Sequence, residues 1–133
     1  GFRRSQNIAY RPACDGCRMC IPVRIPVDRF RPGRTMRKIW RRNSDLTGRL
    51  EPPRVTSEHF SLFRDYIEAR HWDGSMAGMT ALDFTAMVEE TFVDTRLVTY
   101  RKRVGVSLAD PAPHSGELVA CALTDVHNDG PSM

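Results

Sequence analysis

The sequence ELVACALTDV at residues 117–126 decides the fold class. A short, strongly apolar run of this kind predicts a β-strand in a central position of a sheet. Upstream, RLVTYRKRV at residues 96–104 alternates apolar and polar side chains and predicts a second strand. The residues between them, 105–115, contain Pro111 and Pro113 and predict a loop. The C-terminal part of the sequence therefore contributes at least two strands to one sheet.

Two helices are predicted before these strands. The first begins near Thr56 or Ser57, either of which can cap it, and ends near His71. The second covers residues 80–91, and residues 72–79 between the helices predict a glycine-containing loop. Their apolar residues recur at helical spacing, at positions 60, 63 and 67 and at positions 82, 84, 87 and 88.

The N-terminal part predicts one more strand and one more helix. Residues 21–30 (IPVRIPVDRF) alternate, and their two prolines restrict the predicted strand to a sheet edge. Residues 35–45 predict a helix with Met36, Ile39 and Trp40 on one face. Residues 47–55, with one glycine and two prolines, predict a linker. This mixture of elements predicts the α+β class.

The end of the sequence predicts an incomplete hairpin. Residues 126–130 (VHNDG) form a hairpin-type turn after the apolar strand, and only residues 131–133 follow. We therefore expect the returning strand to be missing. Because the first residue is Gly1 rather than Met, we interpret the 133 residues as a piece of a longer protein.

Charge is distributed very unevenly along the chain. Residues 1–54 contain 14 Lys and Arg against 4 Asp and Glu, a net charge of +10, whereas residues 55–133 contain 6 against 12, a net charge of −6. Of the 14 basic residues 13 are Arg, the side chain best suited to forked contacts with phosphate. The N-terminal part therefore predicts a polyanionic partner, with a solvated basic face as the alternative. Five basic residues lie on the predicted helix or, in the case of Arg34, directly before it: Arg34, Arg37, Lys38, Arg41 and Arg42.

Three of the four cysteines are crowded together as Cys14-x2-Cys17-x2-Cys20. Thiolates at this spacing can converge on zinc or an iron–sulfur cluster, but the neighbouring sequence offers no fourth ligand. Three reduced thiols without a metal are the equally weighted alternative. Cys121 lies in the apolar strand and is expected to be a small buried side chain. The sequence shows no apolar run long enough for a membrane span and no secretory signal, so we expect a cytoplasmic protein with no membrane partner.

Two residues are candidates for acid–base chemistry. His71 lies between the end of a predicted helix and a glycine loop, where it fits either a general base or a positive partner of the helix dipole. Asp125 ends a strand, a common position for site carboxylates. Tyr10 and Trp40 can stack on a nucleic-acid base, a role that competes with burial in a core. No Ser-His-Asp set, P-loop or dinucleotide fingerprint is present.

A series of short motifs runs through the sequence in order: Gly1-Phe2-Arg3-Arg4-Ser5, Tyr10-Arg11-Pro12, the three cysteines, Pro22-Val23-Arg24-Ile25, Phe30-Arg31-Pro32, Arg34-x2-Arg37, Arg41-Arg42-Asn43-x-Asp45-Leu46, Tyr66-x3-Arg70-His71-x2-Gly74-x-Met76 and Leu123-Thr124-Asp125-Val126. Together they resemble the bacterial aminoacyl-tRNA–protein transferases. The best-known bacterial branch is the aspartate/glutamate leucyltransferase, and the eukaryotic relatives are arginyltransferases. The resemblance covers almost the whole sequence, and its first 46 residues are the most specific part.

The resemblance implies a fold, a reaction and partners. The fold would be an incomplete GNAT-like acyltransferase core over residues 33–133, preceded by a cysteine-containing segment at residues 1–32. The reaction would transfer an amino acid from charged tRNA to the N-terminal Asp or Glu of a protein and mark that protein for degradation, with no required cofactor. Leucyl is favoured over arginyl because the three-cysteine pattern is similar to that of the bacterial branch. The basic helix would bind tRNA, and the substrate-binding candidates are Arg3, Arg4, Tyr10 and Arg70.

Two alternatives remain at this point. A cysteine–metal module that binds nucleic acid without catalysis would also explain the thiols and the arginine-rich helix. A purely structural piece that folds poorly alone would explain the incomplete sheet.

Overall fold

The computed structural model describes residues 3–103, 116–127 and 130–132. The predicted loop at residues 105–115 lies outside these ranges. The chain divides into two compact units, Gly1–Ser44 and Asp45–Met133. The described elements are both α and β, with a two-stranded sheet in the first unit and a four-stranded sheet in the second. The predicted mixed α and β class is therefore confirmed.

The first unit contains a short hairpin, one turn of 3-10 helix and one α-helix. Strands β1 (Arg3–Ser5) and β2 (Ile8–Tyr10) pair antiparallel. The 3-10 turn covers Val27–Arg29, and helix α1 covers Arg34–Arg42. This helix begins one residue earlier than predicted and ends three residues earlier, where the Asn43 backbone N–H donates to the carbonyls of Ile39 and Trp40.

The predicted edge strand at residues 21–30 is wrong. The structure assigns no strand there, and the 3-10 turn occupies part of the segment. Pro22 and Pro26 lack the backbone N–H that a sheet ladder needs. The alternating residues Val23 and Ile25 are 89% and 68% exposed, so neither side chain is buried in a core. Alternation alone predicted a strand, but no described strand pairs with this segment.

The second unit is built on one antiparallel sheet. Its strands are β3 (Leu46–Glu51), β4 (Asp94–Lys102), β5 (Leu118–His127) and β6 (Gly130–Ser132), in that spatial order. β4 and β5 agree with the predicted strands within two residues at each described end. The predicted interior position of the ELVACALTDV strand is confirmed, because β5 pairs with β4 on one side and β6 on the other.

Two sequence predictions in this unit are wrong. The predicted linker at residues 47–55 contains β3, which pairs with β4. Gly48 lies opposite Tyr100, and a Cβ atom added at Gly48 would lie 3.0 Å from Tyr100 Cε1. The glycine therefore admits the ring beside the backbone instead of breaking the strand. The returning strand predicted to be missing is also present, because β6 pairs with β5 from Asp125↔Ser132 to His127↔Gly130.

Two helices connect β3 to β4, and both were predicted. Helix α2 covers Ser57–Arg70, and helix α3 covers Ala81–Glu89. Each begins with a capping box, formed by Thr56 with His59 and by Thr80 with Asp83. These reciprocal bonds satisfy backbone N–H groups that a helix leaves unpaired at its start.

The core of the second unit lies between the helices and one face of the sheet. Phe84 and Val88 of α3 and Leu97 of β4 are buried together. Phe84 stacks on Phe63 with ring centroids 4.6 Å apart. β4 alternates, and Thr95, Leu97 and Thr99 point to this buried face. The sheet is therefore fixed to the helices by aromatic and aliphatic packing.

Candidate active site and nucleic-acid interface

The β1–β2 hairpin separates the substrate-binding candidates of the first unit. Arg3 lies directly opposite Tyr10, so their side chains share one face of the hairpin. Arg4 lies opposite Ala9 and projects from the other face, and its guanidinium donates to the Gln6 carbonyl at 2.6 Å. The structure therefore brings Arg3 and Tyr10 together and directs Arg4 elsewhere.

The three clustered cysteines are all exposed and reduced. The Cys17 backbone N–H donates to the Cys14 carbonyl at 3.1 Å, which closes a turn with Gly16 at a φ of 67°. Over residues 3–103 and the described parts of 116–132, no three His, Cys, Asp or Glu side chains are grouped so that they can hold a metal ion. The arrangement of these described residues therefore does not fit the predicted zinc or iron–sulfur site.

Helix α1 presents its charge on one side. At 100° per residue its five basic positions fall within about 140° of arc, and Met36, Ile39 and Trp40 fall on the opposite side. All five basic side chains are exposed. Arg37 also donates to the Pro32 carbonyl at 2.6 Å, which holds that guanidinium near the start of the helix. Trp40 is 78% exposed, so this unit does not bury it in a core.

An ion pair that the sequence did not reveal connects α2 to the sheet. The Arg101 guanidinium donates to the two carboxylate oxygens of Glu58 at 2.9 and 2.5 Å. Arg101 also donates to the Gly116 carbonyl, and Glu58 accepts from the Leu118 backbone N–H. Because Arg101 donates to its carboxylate, the pKa of Glu58 is held below its usual value. The partners are 43 residues apart, so no local pattern predicts the pair.

His59 is a second titratable residue that sequence analysis missed. It is only 4% exposed, and its Nδ1 accepts from the Thr56 backbone N–H at 3.1 Å. Its Nε2 is buried without a hydrogen-bond partner among the described residues. Burial lowers the pKa of His59, while Glu51 and Glu58 act in the opposite direction. The signal available in the sequence was a His three residues after a helix-capping Thr.

The acid–base candidate His71 lies at the exposed C-terminal end of α2. Its Nε2 is 3.1 Å from the Tyr66 hydroxyl, and its ring packs against Tyr66 with centroids 5.3 Å apart. The His71 backbone N–H ends the helix by donating to the Ile67 carbonyl. Arg70, the substrate-binding candidate beside it, is also exposed. This arrangement fits both the dipole and the general-base interpretations of His71.

The other acid–base candidate, Asp125, is held across two strands. It pairs with Thr95 in the β4–β5 register, and the Thr95 hydroxyl donates to Asp125 Oδ1 at 2.8 Å. The Thr91 hydroxyl lies 2.7 Å from the Thr95 hydroxyl. Thr95 is buried, whereas Asp125 is half-buried and keeps access to solvent. The structure therefore supplies the Asp125 carboxylate with a fixed donor.

Comparison with known proteins supports the resemblance seen in the sequence. Residues 1–38 match the model of the arginine-tRNA-protein transferase N terminus. Residues 58–133, more than half of the chain, match the model of its C terminus. The chain belongs to the arginine-tRNA-protein transferase family. Both matched segments of the chain contain candidate residues. The first includes Arg34, Arg37 and Lys38 of α1, and the second includes His71 and Asp125.

Close relatives within this family carry one name. The chain is 55% identical over its full length to an aspartate/glutamate leucyltransferase of Afipia carboxidovorans, of which it covers 51%. It is 56% identical to one of Xanthobacter autotrophicus and 53% identical to one of Brucella anthropi, and covers 53% of each. The chain therefore spans about half the length of the curated relatives it matches. No solved structure matches it significantly.

The comparisons and the structure also bear on the cysteine–metal alternative and on membrane-spanning helices. The family match favours a transferase over a cysteine–metal module, and the cysteines are not gathered for a metal among the described residues. Within the part of the chain that the structure describes, no helix is long and apolar enough to cross a membrane.

Proposed function

We propose that the full-length protein is an aminoacyl-tRNA–protein transferase. It moves an amino acid, leucyl in preference to arginyl, from charged tRNA to the N-terminal Asp or Glu of acceptor proteins in the cytoplasm. The product then carries a new N-terminal residue that marks it for degradation. The observation that carries this proposal is the 55% identity over the full chain to a protein named aspartate/glutamate leucyltransferase. The family model that matches the larger segment leaves an arginyl donor as the second option.

The reaction requires that the acceptor α-amine be aligned with the aminoacyl ester and that one group accept a proton. The acceptor α-amine attacks the carbonyl carbon of the aminoacyl ester, so a C–N bond forms. The ester C–O bond breaks, and the terminal ribose oxygen leaves with the proton that the amine loses. Because the ester is already activated, holding the two reactants together supplies much of the rate. An α-amine has a pKa of about 8, so a carboxylate or imidazole can take its proton as the new bond forms.

Asp125 is our proposed proton acceptor. Its carboxylate is half-buried and oriented by the Thr95 hydroxyl, whereas the His71 ring is exposed and already contacts Tyr66. A fixed carboxylate also attracts the protonated α-amine as it arrives; this amine releases one proton to solvent before it attacks, and the proton lost during the attack passes through Asp125 to the leaving ribose oxygen. His71 is retained as the second candidate, and comparison of D125N with H71N distinguishes the two.

Helix α1 is our proposed tRNA contact. Its exposed basic side fits a phosphate backbone, which is recognised by charge without reading sequence. Arg3 and Tyr10, which share a hairpin face, are proposed to contact the acceptor, because a guanidinium binds a carboxylate through two parallel hydrogen bonds. Arg4, on the other face of the hairpin, and Arg70, in the second unit, are separate candidates for the same contact.

We further propose that the second unit is the first half of a GNAT-type acyltransferase core. The support is its element order, with two helices between a first strand and a later antiparallel set of three strands. The first strand of this order is β3, not the segment at residues 21–30.

The decisive experiment is aminoacyl transfer by the full-length protein. Leucyl-tRNA and arginyl-tRNA are each offered with peptides that begin with Asp, Glu or Ala. We expect transfer from leucyl-tRNA to the Asp and Glu peptides and none to the Ala peptide. Absence of transfer from both charged tRNAs would refute the proposed function.

The tRNA contact has a separate test. Replacing Arg37, Lys38, Arg41 and Arg42 by Ala should weaken tRNA binding and reduce the slope of log affinity against log salt by up to about 3 to 4 units. The control replaces Arg64 of α2, which donates to the Ala77 carbonyl, and should leave the slope unchanged. An unchanged slope in the α1 variant would remove this helix from the tRNA interface.

A further inference from the structure

Three side chains at one end of the sheet form a continuous hydrogen-bonded row. Thr91 lies after α3, Thr95 is near the start of β4 and Asp125 is near the end of β5. The oxygen-to-oxygen distances are 2.7 Å from Thr91 to Thr95 and 2.8 Å from Thr95 to Asp125. The row crosses from the helix layer to the interior of the sheet, and only its last member is a titratable group.

The direction of the hydroxyl protons follows from the carboxylate. An ionised Asp125 only accepts hydrogen bonds, so the single Thr95 hydroxyl proton points to it. The Thr95 oxygen is then an acceptor, and the Thr91 hydroxyl can donate to it. The Val93 backbone N–H in turn donates to the Thr91 oxygen at 3.2 Å. The Thr91 hydroxyl also lies 3.3 Å from the Val93 carbonyl oxygen, which is a second acceptor for its single proton. The direct donor to the carboxylate is therefore the Thr95 hydroxyl, and Thr91 supports it when its own proton points to Thr95.

The two charged residues that flank Thr95 in the sequence of β4 point away from the row. Asp94 and Arg96 flank Thr95 on β4, and strand alternation directs their side chains to the opposite face. They also pair with each other at 2.8 Å. The Thr95 hydroxyl meets Asp125 from the buried face of β4.

We propose that Thr95, supported by Thr91, is a positioning residue that orients the Asp125 carboxylate for the acceptor α-amine. This inference rests on the proposed transferase function and on Asp125 as its proton acceptor. The Thr95 hydroxyl favours one orientation of the carboxylate, and small misplacement of a catalytic group reduces the rate strongly. A hydroxyl donor also stabilises the charged form, which is the form that takes a proton.

The chain provides a matched control on the same strand. Thr99 is also buried and on the same face of β4, but its hydroxyl has no hydrogen-bond partner among the described residues. Thr95→Val and Thr99→Val therefore remove the same atom and keep the same shape, and only the first removes a contact to a carboxylate. Thr95→Ser keeps the hydroxyl. Thr91→Val leaves the contact between Thr95 and Asp125 in place and removes the outer hydroxyl, with its bonds to Thr95 and to the Val93 backbone.

The test measures transfer to an Asp-initiated peptide by the full-length protein across pH, together with thermal melting of each variant. We expect Thr95→Val to lower kcat about tenfold or more, with little change in the KM for charged tRNA. The acid limb of its pH–rate profile should move to higher pH, because the carboxylate loses a donor. Thr95→Ser should restore most of the rate, Thr91→Val should have a smaller effect in the same direction, and Thr99→Val should match the native protein.

Two results would overturn the proposal. One is equal activity and equal pH profiles for Thr95→Val and Thr99→Val. The other is a loss of rate in Thr91→Val and Thr95→Val without movement of the acid limb, which would indicate a structural role only. If Thr95→Val fails to fold, Thr91→Val and Thr95→Ser still decide the question. Failure of the transferase function itself is distinguishable, because the native protein would then show no transfer from either charged tRNA.

Discussion

The ion pair between Glu58 and Arg101 gives the sharpest stability prediction. Replacing Glu58 by Gln keeps the size of the side chain and removes its charge. In the native protein the carboxylate accepts two hydrogen bonds from Arg101 and one from the Leu118 backbone N–H. The Arg101 side chain is only 13% exposed, and its Nε is buried without a hydrogen-bond partner in the described residues. Without the Glu58 charge, the positive charge of the Arg101 guanidinium, which is largely removed from water, loses its negative partner.

The size of the effect follows from burial. Hydrogen bonds to charged groups contribute about 1.5 to 3 kcal/mol when well shielded. The Glu58 side chain is 46% exposed, so solvent screening places the expected loss in the free energy of unfolding at about 1 to 2 kcal/mol. For a domain of this size each kcal/mol corresponds to a shift of about 4 to 8 °C in the melting temperature.

The pH dependence supplies an independent check of the same contact. The folded state lowers the pKa of Glu58 from 4.5, so its contribution is fully present above that value and is lost as pH falls through the lower folded pKa. Urea denaturation of the native protein and of E58Q at pH 7 and at acid pH should show that the difference narrows in acid. The control is E68Q, on an exposed position of the same helix. Equal destabilisation by E58Q and E68Q, or a difference independent of pH, would refute the reasoning.

Two further predictions concern α2 and the core. Burial lowers the pKa of His59 from 6.5, so the unfolded state binds more protons in mild acid and the free energy of unfolding should fall as pH drops below about 6.5. His59→Gln preserves a capping side chain and should remove this decline. A decline of equal size in the variant would contradict the prediction. Phe84→Ala should cost about 3 to 5 kcal/mol because its ring is buried against Phe63. Leu82→Ala, exposed on the same helix, should change the urea midpoint little, and similar midpoints for the two variants would show that the aromatic cluster is not the core.

The comparison of prediction with structure separates local signals from long-range ones. The sequence predicted the extents of α2 and α3 closely because caps and apolar spacing are local features. Leu82, which the spacing placed with the apolar residues of α3, is 82% exposed. It failed at residues 21–30 and at β3, where the outcome depends on whether a partner strand is available. The strand at Leu46–Glu51 forms because Tyr100 and its neighbours pair with it across more than 40 residues, despite Gly48.

The same division holds for the candidate site. By itself the sequence determined the family, the basic N-terminal part and the candidate residues His71 and Asp125, because ordered motifs and charge counts are properties of the chain alone. Tertiary structure decided what surrounds them. It placed the Thr95 hydroxyl against Asp125 and the Arg101 guanidinium against Glu58. Those contacts join residues 30 and 43 positions apart, and only the antiparallel sheet with its packed helices brings such residues within hydrogen-bonding distance.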